Sequence, residues 1–205
     1  MVRARRADEV GLDRIPMFSD GVFAIAITLL VLPLTDARIT EGRVGQDLAE
    51  LSPRIFTFAL SFVVIGRYWM VHHRIFDRFD RADRRLMVLN LAYLFGIAFL
   101  PFPTSVLGGH GSSTPAVVLY ATNLLWIGCA SAAIWWYGSS GGRLTRDEVT
   151  PQGARATLAH SVAAPLALLP SIPLAFLSPT LAMYSWLLIV PVSFAADRLF
   201  PDEAV

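Results

Sequence analysis

One carboxylate stands inside the first apolar stretch of this 205-residue chain, at Asp20, with the hydroxyl of Ser19 beside it. The stretch reads RIPMFSDGVFAIAITLLVLPL from Arg14 to Leu34, and Asp20 is its only charge between Arg14 and Asp36. A carboxylate in a membrane-crossing segment costs on the order of 3 kcal/mol unless it is paired or hydrated, so it marks a functional candidate. A plainer reading is that Ser19 and Asp20 merely occupy the first turns of a helix, where negative charge complements the dipole. At about 100° per residue, Gly21, Ile25, Thr28, Leu29 and Leu32 fall within an arc of about 100°, and Asp20 lies about 140° from Ile25. One face therefore carries stacked aliphatic side chains with a single hydroxyl, and the carboxylate looks elsewhere. That division has a use if the aliphatic face lines an axis and Asp20 packs into protein.

Candidate partners for Ser19 and Asp20 come from the polar ends of later apolar runs: Arg67, His72, His73, Arg85 and Asn90. Arg14 is six residues before Asp20, on another face of the helix, and is a poor partner within it. Adjacent residues on a helix point about 100° apart, so His72 and His73 cannot readily chelate one metal ion. No His-Glu-x-x-His or cysteine cluster accompanies them. His160 reads as a packing histidine, and Trp126, Trp135, Trp136 and Tyr137 as packing or membrane-interface residues. Nucleophile motifs such as Gly-x-Ser-x-Gly are absent, so an enzyme has no support.

The elements that would position these residues are membrane spans. The chain is 55% hydrophobic and 16% charged, where a soluble domain carries about 25% charged residues. Its apolar residues are blocked into runs of about 17–23, long enough to cross a bilayer. The expectation is an all-α integral membrane protein with six spans: 15–34, 54–71, 86–100, 116–137, 156–177 and 180–196. Asp13 is expected to cap the first span, with Pro16 in its first turn. Span three is expected to stop at Pro101-Phe102-Pro103, and span five to be kinked by Pro165, Pro170 and Pro173. Residues 1–13 form an N-terminal arm, 14–198 a single membrane domain and 199–205 a short tail. The first apolar region is too long for a signal peptide and offers no small-x-small cleavage site, so it reads as a retained span.

Arginine sets the orientation. All seventeen basic residues are Arg, which reads as a coding bias of the source. They gather before span one, in 74–85, in 143–155 and at Arg198, while the opposite loops hold only Arg38 and Arg43. Basic loops stay inside, so both termini are expected in the cytoplasm. A net charge of +1 gives no case for nucleic-acid binding, and the lone Cys129 excludes an internal disulfide. No internal repeat of the kind found in inverted-repeat transporters is evident.

Arg14-x-x-x-Phe18-Ser19-Asp20, followed by Gly21-Val22-Phe23-Ala24-Ile25-Ala26-Ile27-Thr28, resembles the signature of the transmembrane protein 175 family of potassium channels. Trp69, His72 and His73 closing span two, Asn90 in span three and Pro101-Phe102-Pro103-Thr104 are similar as well, so the likeness covers residues 14–104. Spans four to six agree in number and length only. The resemblance implies a homotetramer in the bacterial inner membrane, passing potassium ions through lipid-embedded subunits without a cofactor. The first helix of each subunit would line the pore, with aliphatic rings at Ile25, Leu29 and Leu32 and Thr28 as the nearby hydroxyl. Asp20, with His72 or His73 and Asn90, would form a network behind the pore. The chain has no Thr-Val-Gly-Tyr-Gly filter sequence, which agrees. Two other readings stand beside this one: a proton- or cation-coupled transporter in which Asp20 titrates, and a non-conducting membrane scaffold.

Overall fold

The computed structural model describes residues 11–188 and, beyond them, 191, 192, 195, 198 and 199. Ten α-helices are described: α1 Arg14–Leu29, α2 Leu32–Thr35, α3 Val44–Glu50, α4 Ser52–Asp77, α5 Arg84–Phe99, α6 Pro101–His110, α7 Thr114–Ser139, α8 Pro151–Leu168, α9 Ser171–Leu177 and α10 Pro179–Ser185. No strand occurs among the described residues. Five stretches are long and apolar enough to cross a membrane: Arg14–Thr35, Ser52–Asp77, Arg84–His110, Thr114–Gly142 and Gln152–Leu177. The expected sixth span, 180–196, is described as α10 and a 3-10 turn at Trp186–Leu188. Residues 189, 190, 193, 194 and 196 of that span lie outside the described residues, as do 1–10 of the arm and 200–205 of the tail.

Proline breaks the spans without ending them. Span one is interrupted after Leu29, because Pro33 has no N–H to give the Leu29 carbonyl. The chain tightens there, with Val31 N–H donating to Thr28 O at 3.4 Å, and resumes as α2. Span three does not stop at Pro101-Phe102-Pro103 as the sequence suggested. It continues as α6 for a further ten residues to His110. Pro101 and Pro103 fall in a new first turn, where missing N–H groups are harmless. Leu100 N–H donates to Ile97 O at 3.2 Å, and Thr104 N–H picks up Leu100 O at 3.1 Å. Span two is also longer than expected, carrying His72 and His73 inside the helix instead of at its exit. Asp13 holds the N-cap position but has helical backbone angles and makes no side-chain cap. True caps occur at Asp83, which accepts from Leu86 N–H at 2.8 Å, and at Thr150, which accepts from Gly153 N–H at 3.0 Å.

α7 is the central helix, packed on α5 along one side and α8 along the other, while α4 packs on α6. Lipid tails are as apolar as leucine, so helices associate through close contact and hydrogen bonds. A Cβ on Gly128 of α7 would stand 2.4 Å from Pro165 Cγ of α8, and one on Gly96 of α5 would stand 2.6 Å from Ile127 Cγ1 of α7. Trp135, Tyr93, Tyr120, Ile97 and Ile127 are fully buried around these seams. α1 sits at the edge of the bundle, packed on α5 and α4.

Candidate functional site

α1 has two faces with different chemistry. Ile15, Ser19, Phe23 and Ala26 recur at helical spacing and are buried. The opposite side carries Phe18, Ile25, Thr28, Leu29 and, past the break, Leu32, all exposed. Ile25 is 62% exposed and Leu32 52% exposed. Thr28 donates its hydroxyl proton to Ile25 O at 2.8 Å, which leaves the oxygen available as an outward acceptor.

The buried face is fixed by a relay of hydrogen bonds across three helices. Ser19 Oγ donates to Ile15 O at 2.8 Å, so its oxygen must accept from elsewhere. Asn90 Nδ2 of α5 donates to it at 3.0 Å. The amide oxygen of Asn90 therefore faces His72 of α4, whose Nε2 lies 2.9 Å away and donates to it. The proton sits on Nε2 because an amide oxygen can only accept. All three side chains are buried. Stacking holds the imidazole in place: its ring centroid is 4.4 Å from Phe76 and 5.4 Å from Tyr93, with Phe23 of α1 edge-on at 5.7 Å. Tyr93 donates to Tyr68 O at 3.0 Å, and Tyr68 to Leu124 O at 3.1 Å, two separate bonds that tie α5 to α4 and α4 to α7.

Asp20 lies outside this relay. It is exposed, and its Oδ1 accepts from Trp69 Nε1 of α4 at 2.8 Å. Trp69 stacks on His73 at 5.8 Å, and His73 Nε2 is 3.5 Å from Asp77 Oδ2. The two neighbouring histidines thus point different ways, His72 into the protein and His73 outward. Arg14 is exposed at the head of α1. No group of three or more His, Cys, Asp or Glu placed to hold a metal occurs among the described residues.

Among the proposed site residues, the fold joins Ser19, Asn90 and His72, and brings Asp20 and His73 to Trp69 instead. Trp69 had not been expected as the partner of Asp20. Its signal was chemical: an indole N–H can only donate, and a carboxylate on the neighbouring span is an acceptor that fits it. A second buried cluster also went unnoticed. Thr104 Oγ lies 2.8 Å from Ser61 Oγ, and Ser61 Oγ lies 3.0 Å from the Tyr120 hydroxyl. It joins α6, α4 and α7. Isolated hydroxyls in apolar runs were its trace in the sequence.

With this geometry in hand, comparison with known proteins is informative. Residues 14–101 match the family described as endosomal/lysosomal potassium channel TMEM175. A potassium channel of Streptomyces collinus is 35% identical over 175 residues, covering 83% of this chain and 85% of that protein. A potassium channel of Chamaesiphon minutus is 38% identical over 151 residues, 70% of this chain and 73% of its own length. The crystal structure of a lysosomal potassium-selective channel TMEM175 homologue from Chamaesiphon minutus superposes with a TM-score of 0.76 at 28% identity, covering 91% of this chain and 98% of that one.

Proposed function

We propose a function from one premise: the chain belongs to the TMEM175 family of potassium channels, whose members are ion channels and not enzymes. On that premise it is a cation channel, embedded in the membrane, and the family implies no cofactor. Beyond that, we read it as a potassium-permeable homotetramer of six-span subunits, with the exposed face of α1 turned to a central axis. The bacterial inner membrane is its place, with both termini in the cytoplasm. Its permeation path needs no conventional filter sequence.

The observation that carries this reading is the division of α1. Ile15, Ser19, Phe23 and Ala26 are turned into the bundle, while Ile25, Leu29 and Leu32 are offered outward as a line of aliphatic groups. One Ile25 from each subunit, meeting on an axis, forms a constriction narrow enough to lose its water and close to ions. A small outward movement of the helices rehydrates it. Potassium sheds water more readily than sodium, so an apolar ring penalises sodium more, and the Thr28 oxygen can replace part of the lost hydration. The Ser19–Asn90–His72 relay and the Trp69–Asp20 bond hold α1 at a set rotation, which keeps the same residues on the axis.

Ion flux into liposomes carrying the purified protein tests this. Potassium flux that exceeds sodium flux, does not saturate and changes in Ile25 and Leu29 variants is the expected result. Saturable flux that requires a proton gradient would replace the channel with a transporter in which Asp20 titrates. Absence of flux from Ile25→Ala protein shown to be folded and tetrameric would leave a scaffold.

A further inference from the structure

α3 belongs to none of the packed seams. None of its residues from Val44 to Glu50 is buried, and Val44 and Leu48 are each 48% exposed. So short a helix does not hold itself in water, and most helices are held by packing an apolar face. Its own loop braces it. Thr40 N–H donates to Asp47 Oδ2 at 2.7 Å, Arg43 N–H to Thr40 O at 3.0 Å and Arg43 Nε to Gln46 Oε1 at 3.0 Å. Gly42, at a φ of 85°, makes the turn that allows this.

At about 100° per residue, Val44, Leu48 and Leu51 fall within an arc of about 60°, and Gln46, Asp47 and Glu50 occupy a separate arc of about 100°. The apolar line runs on into α4. Leu51 N–H donates to Asp47 O at 3.1 Å and Ile55 N–H to Leu51 O at 3.0 Å, so the helical turn carries through. Ile55 and Phe56 are exposed at the head of α4, which is itself a membrane span from Ser52 to Asp77. Leu51 alone separates α3 from that span, and the preceding span closes at Thr35. Both ends of the connection are thereby pinned at the bilayer boundary. At about 1.5 Å per residue, α3 reaches no further than about 10 Å from it, a distance comparable with the headgroup zone.

We infer that α3 lies on the lipid surface as an anchor, with Val44, Leu48 and Leu51 in the boundary between headgroups and acyl chains and Gln46, Asp47 and Glu50 in water. An amphipathic helix at that depth buries its apolar face in lipid. The stripe is too small to be an interface with a second copy on its own: three side chains supply a small fraction of the roughly 800 Å² per partner that a stable protein contact buries. A bilayer sets no such threshold. The polar arc holds two carboxylates and no arginine, so attachment rests on apolar burial and needs no anionic lipid. The inference uses the membrane embedding of the chain and is independent of whether the pore conducts.

The test is spin-label accessibility in the full-length protein, reconstituted in phosphatidylcholine liposomes. The free thiol of Cys129 is exposed, so it is first removed as Cys129→Ser. A nitroxide is then attached at Leu48→Cys or at Gln46→Cys, and collisions with lipid-soluble oxygen and a water-soluble nickel chelate are compared. The label on Leu48→Cys should favour oxygen over nickel about fivefold more than the label on Gln46→Cys. Equal ratios at the two positions would overturn the inference, because the helix would then stand in water. Exclusion of both agents from the Leu48→Cys label would overturn it in favour of burial against a second copy. Unlabelled Leu48→Asp is the second arm. Amide exchange over 44–50 should quicken about fivefold in the liposomes, while exchange in α5 and α7 stays at the parent rate. Unchanged exchange over 44–50 would also overturn the inference.

Discussion

The indole of Trp69 donates a 2.8 Å hydrogen bond to the carboxylate of Asp20, joining α4 to the exposed flank of α1. A hydrogen bond to an ionised acceptor is shorter and stronger than a neutral one. At an exposed site it contributes about 1 kcal/mol. Trp69→Phe and Asp20→Ala should each destabilise the folded protein by about that amount. The double variant should cost little more than either single one, because the two changes remove the same bond. Thermal melting of the four proteins checks this, and strict additivity would show that the bond carries no energy.

Asn90 is the middle of the buried relay, so its loss strands groups on both sides. Asn90→Leu leaves His72 Nε2 and Ser19 Oγ without their amide partner in a dry interior. Each stranded group costs about 1–3 kcal/mol. A total loss of about 3 kcal/mol is expected by denaturation in detergent. A loss below about 0.5 kcal/mol would mean that water has entered to satisfy both groups.

On the proposed pore, Ile25→Asn should convert an aliphatic ring into a wet one. Conductance should rise, closing should fail and the preference for potassium over sodium should fall, because the apolar barrier to hydrated sodium is gone. Single-channel recording in planar bilayers measures all three. Unchanged conductance and gating would place the constriction at Leu29 or Leu32 instead.

The seam between α7 and α8 depends on a missing side chain. A Cβ at Gly128 would stand 2.4 Å from Pro165 Cγ, and the proline ring cannot swing away as a flexible side chain could. Gly128→Ala should cost about 1–3 kcal/mol by overpacking. Gly109→Ala is the control, since a Cβ there meets nothing within 4 Å. Melting temperatures of the two variants decide the matter, and equal values would show that the seam can open at no cost.

Much of the fold was legible because membrane spans announce themselves by length and hydropathy, and because Ser19 and Asp20 are conspicuous in an apolar run. The expected exit at Pro101-Phe102-Pro103 was misread for a physical reason. Pro101 removes the N–H that would serve Ile97 O and its ring crowds that carbonyl, but Leu100 N–H satisfies Ile97 O and a new helix starts at once. The Asp13 cap was misread because backbone N–H groups at that turn found carbonyls at Gly11 and Leu12 first.

The sequence by itself determined that α1 must be two-faced, since its aliphatic and polar residues are fixed in angle once the helix forms. It determined too that His72 and His73 point apart, which follows from the turn per residue. Only the tertiary structure decided which histidine meets Asn90, and that Trp69 rather than a histidine meets Asp20. Those pairings depend on the rotation of α4 and its depth against α1 and α5. Rotation and depth are set by packing at seams such as Gly96 against Ile127 and the ring stack of Phe76, His72 and Tyr93. No spacing along one helix encodes the register of its neighbour.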